Sequence, residues 1–85
     1  MNENKIKKLN KYEKEQIKKE NPKILVEFLD KKSSVTLFYV GWLIEETLEF
    51  INLLGKMQDD VLFLNKHNIT RMKILENRGY QNDKK

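Results

Sequence analysis

The chain has 85 residues, no cysteine, and 17 Lys and Arg against 13 Asp and Glu, for a net charge of +4. That length makes one domain with a modest core. The missing cysteines exclude disulfide frameworks and thiolate metal centres, and no apolar run approaches the roughly 20 residues of a membrane helix, so no membrane span is expected.

Charge is unevenly placed. Residues 1–20 carry +3, 21–44 carry +1, 45–60 carry −4 and 61–85 carry +4. An anionic partner is therefore expected at the two ends and not at the middle.

Residues 1–20 read as a lysine-rich helical arm, with Ile6, Leu9, Tyr12 and Ile17 as its main apolar side chains. The arm has no apolar stretch of the kind a secretory signal needs, which predicts a cytoplasmic protein. Residues 21–80 read as a single helical domain, and 81–85 as a disordered tail. Asn21 and Pro22 suit the cap and first turn of a helix. Ile24, Leu25, Phe28 and Leu29 then recur at helical spacing to about Asp30. The sequence KKSS closes that segment. From Thr36, the steps of three or four through Leu37, Val40, Ile44, Leu48, Ile51 and Gly55 predict one long helix over 36–57. Phe38, Tyr39, Trp42 and Leu43 lie off that stripe. An apolar surface so wide needs cover from the arm or from a partner, and Phe38, Tyr39 and Trp42 are the expected interface of a homodimer.

Asp59 and Asp60 suit a helix start, VLFL follows, and NKHN breaks the pattern. Asn68 can cap a second helix over Ile69–Arg78, with Met72 and Leu75 turned inward and Gly79 as its stop. The expected fold is thus all-α, a small domain of three or four helices. The alternative is a winged helix with a β-hairpin over 61–75, because Met72 and Ile74 alternate with Arg71 and Lys73.

The stretch DVLFLNKHNITRMKILENRGY resembles the helix-turn-helix of excisionase-like and mercury-resistance-regulator-like DNA-binding proteins. The resemblance lies in Asp60–Val61 opening one helix, Leu64 in its core, Asn68 capping the next, Met72 and Leu75 facing inward, and Gly79 closing. It implies a small regulator of transcription bound to double-stranded DNA. Asn68, Thr70, Arg71 and Lys73 would face the DNA, Arg71 as the candidate for a guanine contact, and Lys66 and Arg78 would meet phosphates. The rival expectation is a protein-interaction module, of the phage-inhibitor or antitoxin kind, acting through the aromatic and acidic middle.

No enzyme is expected. His67 is the single histidine, and no nucleophile–base pair is discernible. The pairs Glu45/Glu46 and Asp59/Asp60 read as solvated faces and caps, and Glu45 with Glu49 is too little for a cation site. Three isolated glycines make no phosphate loop. No cofactor and no metal are expected.

Overall fold

The structure, a computed structural model, describes residues 8–77. It is a β-protein. One helix, α1 (Lys11–Glu20), precedes five strands: β1 (Lys23–Asp30), β2 (Val35–Glu46), β3 (Phe50–Gly55), β4 (Val61–Asn65) and β5 (Ile69–Glu76). A single 3-10 turn, η1 (Lys66–Asn68), joins β4 to β5. The all-α expectation, the long helix over 36–57 and the helix-turn-helix over 60–80 are all overturned. The winged-helix alternative fails as well, because the strands of 61–65 and 69–76 do not pair with each other.

The strands form one antiparallel sheet in the order β4-β3-β2-β1-β5. That order and the short η1 turn together dictate its shape. Laid flat, β4 and β5 would lie four strand spacings apart, about 19 Å. From Asn65 to Ile69 the chain can reach only about 14 Å. The sheet must therefore curl until its two edges approach, giving a partly open barrel.

The curl is built into β2. Its first half pairs with β1, from Val35↔Asp30 to Trp42↔Lys23, and its second half pairs with β3, from Gly41↔Gly55 to Glu46↔Ile51. Gly41 belongs to both ladders. A Cβ there would fall on the Leu54 carbonyl oxygen and the Leu53 side chain, so only glycine lets β3 come this close. A bulge at Ile44, between Leu43 and Glu45, adds twist on the same strand.

Period-2 alternation decides what is buried. Ile24 and Val26 on β1 point inward with Leu43, Ile51, Leu53 and Leu64, and Phe28, Tyr39, Leu62 and Ile69 pack around them. Trp42 and Leu54, partners across β2 and β3, lie on the opposite face, where α1 rests against β2. Asn10 caps α1 through a reciprocal pair of bonds with Glu13. Asn21, expected to start a helix, instead ends α1 and donates its side-chain amide to the Leu43 carbonyl at 2.7 Å.

The turns carry their own chemistry. At β1–β2 the Asp30 carboxylate accepts from the Lys32 amide and the Ser33 hydroxyl, and Ser34 takes a left-handed φ of 60°. At β3–β4 Asp59 does the same with φ 53°, and the Asp60 carboxylate accepts from the Val61 amide. The two aspartates thus make a strand reversal in place of the expected helix cap.

Candidate functional site

The unusual feature of this fold is an open seam. β4 pairs with β3 alone and β5 with β1 alone, so among the described residues neither strand has a neighbour on its outer side. Met72 and Ile74 on β5 stand opposite Val26 and Ile24, which places them on the core-facing side of the sheet. Val26 and Ile24 are buried, yet Met72 is 42% and Ile74 49% exposed. Val35 and Leu37 on β2 share that side and are exposed as well. Met72 and Ile74 therefore meet solvent along the unclosed β5 edge, while Val35 and Leu37 meet it at the β1–β2 hairpin end, where β2 has no β3 partner. The core has a wall missing.

The two edges differ in how they are protected. β5 carries Arg71 and Lys73, and its register against β1 shifts twice, at Thr70 and at Leu75. Charges and bulges of this kind discourage stray pairing. β4, with the sequence VLFLN, has no charge, no proline and no bulge against β3. Phe63 on β4 is exposed and stacks on Phe50 of β3, with centroids 5.6 Å apart and planes at 25°.

The residues expected to read DNA lie along η1 and β5, most of them engaged within the fold. Lys66 Nζ pairs with Glu46 at 2.7 Å, and Asn68 donates to the Leu29 carbonyl at 3.0 Å. Asn68 therefore fastens the turn to β1 and caps no helix. The Thr70 hydroxyl donates to the Glu27 carbonyl at 3.3 Å, and Arg71 pairs with the Glu27 carboxylate at 3.5 Å. Lys73 stands exposed opposite Leu25. Arg78, Gly79 and Tyr80 lie outside the described residues, as does the segment 81–85. Residues 8–77 hold 12 Lys and Arg against 11 Asp and Glu, so the folded body is close to neutral.

The aromatic trio splits. Phe38 is 62% exposed on the outer face, Tyr39 turns inward against Phe28 with ring centroids 6.0 Å apart, and Trp42 is only 7% exposed. Alternation along β2 sends Tyr39 to the side opposite Phe38 and Trp42, so the three form no common surface. The acidic middle is also dispersed. Glu45 accepts from the Asn52 side chain, Glu46 holds Lys66, and Glu49 sits in the β2–β3 turn. Among the described residues no cluster of His, Cys, Asp and Glu could hold a metal ion, and no helix is long and apolar enough to cross a membrane.

Sequence reasoning missed the seam, although a signal for it exists. Met72 and Ile74 alternate with charges, and the charge-free VLFL lies a few residues before them. Comparison with known proteins adds no assignment: no family model, no curated protein and no solved structure matches the chain.

Proposed function

We propose that this chain is a self-associating interaction module whose sheet is completed by further copies of itself. The observation that supports the reading is the open seam, where Met72 and Ile74 face solvent from the inner side of the sheet on the unpaired edge strand β5. An unpaired strand edge offers a row of backbone donors and acceptors to another strand. β4 of one copy set against β5 of the next satisfies both rows and covers the exposed apolar side chains. The contact joins two different edges and is therefore head-to-tail; a ring of copies leaves no edge free.

Sedimentation velocity across a wide protein concentration range tests this directly, beside an Ile74→Lys variant. The wild-type chain sediments as an oligomer that dissociates on dilution. The variant, with a charge in the seam at a position already half exposed, stays folded and sediments as a monomer. A wild-type chain that remains monomeric at the highest concentration contradicts the reading.

A second reading keeps nucleic acid as a ligand and is favoured by one corner. Lys66 and His67 on η1 follow directly on Asn65, which pairs with Phe50, so two basic residues stand close in the chain to a stacked Phe50–Phe63 pair, with Lys66 also held by Glu46. Aromatic faces with neighbouring cations suit a single strand, whose bases can stack. A single strand also needs no helix seated in a major groove. With a near-neutral body each corner binds weakly, and assembly into an oligomer supplies the affinity through repetition. Fluorescence anisotropy with a single-stranded oligonucleotide checks it. Binding should weaken steeply with salt and fall about tenfold in a Lys66→Ala/Phe63→Ala variant. Equal binding by variant and wild type contradicts it.

A further inference from the structure

Helix α1 has an unusual attachment. None of its residues is buried, and Tyr12 is 71% exposed. A ten-residue helix is marginal in water without tertiary support. Ile17 of this helix is half-buried, and polar contacts add to its support. Lys14 Nζ donates to the Asp59 carbonyl oxygen at 2.8 Å and lies 3.3 Å from its carboxylate. Lys18 Nζ approaches the other carboxylate oxygen at 3.8 Å and sits 5.6 Å from the centre of the Trp42 ring. Lys11, Lys14, Glu15 and Lys18 line a cleft of about 310 Å³ against Asp59. These polar contacts converge on one carboxylate in the β3–β4 turn and one indole on β2.

What lies on that face is not polar. Trp42 is almost wholly buried beside fully buried Leu54, and its indole N–H has no hydrogen-bond partner. A buried donor left unpaired disfavours the closed arrangement, and access to water would satisfy it. The helix holds this face closed. Its exposed ion pairs are of the kind that dissolved ions screen.

We propose that α1 is an electrostatic strap over Trp42, released when dissolved ions screen Lys14 and Lys18 from Asp59. Release leaves the sheet intact, since none of the core residues Ile24, Val26, Leu43, Ile51, Leu53 and Leu64 belongs to α1. Release uncovers the Trp42 side of the sheet, a surface separate from the seam between β4 and β5. The strap does not depend on self-association.

Trp42 is the single tryptophan, so its fluorescence reports on this face alone. The test is acrylamide quenching of the full chain during a titration with NaCl, with far-UV circular dichroism recorded alongside. The strap predicts a low quenching constant at low salt that rises severalfold towards molar NaCl, while the β-sheet signal is retained. Asp59→Asn keeps a residue type that tolerates the left-handed turn conformation and removes the charge. It should show the high, salt-independent quenching already at low salt. Lys18→Gln, which leaves the turn untouched, should do the same. Quenching that stays flat with salt in the wild-type chain, or that is unchanged in both variants, overturns the proposal.

Discussion

Gly41 carries more of this architecture than any side chain around it. It pairs with Ile24 on one side and Gly55 on the other, and a Cβ at this position would collide with the backbone of Leu54. Backbone cannot step aside without breaking the β2–β3 ladder. Gly41→Ala should therefore cost about 3 kcal/mol, the upper end of the range for overpacking, and lower Tm by about 15 °C. Gly55→Ala is the control. The atoms its Cβ would meet are the Gln58 amide and a Leu62 methyl, both ends of side chains that can move. Its cost should be clearly smaller. Thermal melts of the two variants decide the point, and equal losses would show that the close approach at Gly41 does not shape the sheet. The sequence displays Gly41 only as an isolated glycine in an apolar run, which a helix tolerates at modest cost. Nothing in one chain says that another backbone passes a few ångströms away.

Among the elements, the β2–β3 turn explains how a strand pair could look like a helix. Leu37, Val40, Ile44, Leu48 and Ile51 keep helical spacing, but they belong to two strands and the reversal between them. Leu48 is 95% exposed in that reversal and contributes nothing to the core. Thr47 makes the turn. Its hydroxyl oxygen accepts from the Phe50 amide at 3.1 Å and the Glu49 amide at 3.2 Å, and the hydroxyl lies 3.2 Å from the Phe50 carbonyl. Thr47→Val keeps the shape and loses these bonds, so it should cost about 1–2 kcal/mol by urea unfolding. No change would mean that the turn is held by its backbone alone. The strand signal was present in the residue types: VTLFYVGWLI is rich in β-branched and aromatic side chains. In β1, Ile24, Val26 and Phe28 alternate, yet Leu25 and Leu29 are apolar too, so the same letters fit both periods. The period-2 face is the one that the fold buries. In β5, Met72 and Ile74 alternate cleanly with Arg71 and Lys73. There the helix caps that Asn68 and Gly79 suggest compete with the alternation, but the Asn68 side chain is bonded to Leu29.

At the scale of the whole molecule, the partial barrel explains why the site was hidden. Each residue of the seam is ordinary by itself. Met72 and Ile74 stand exposed on the inner face only because β5 pairs with β1 alone, the three-residue turn carrying the chain from β4 to β5 without pairing the two. Such a long-range consequence of strand order cannot be read from local periodicity. The same geometry accounts for the absence of the expected recognition helix. Lys66, Asn68, Thr70 and Arg71 cluster in sequence, but here they fasten η1 and β5 to β1 and β2. The most direct test of the completed-sheet account is amide hydrogen exchange measured strand by strand at low and high protein concentration. Pairing between copies predicts that amides of β4 and β5 become protected as concentration rises, while those of β2 and β3 stay slow throughout. Exchange at β4 and β5 that is fast and independent of concentration would contradict it.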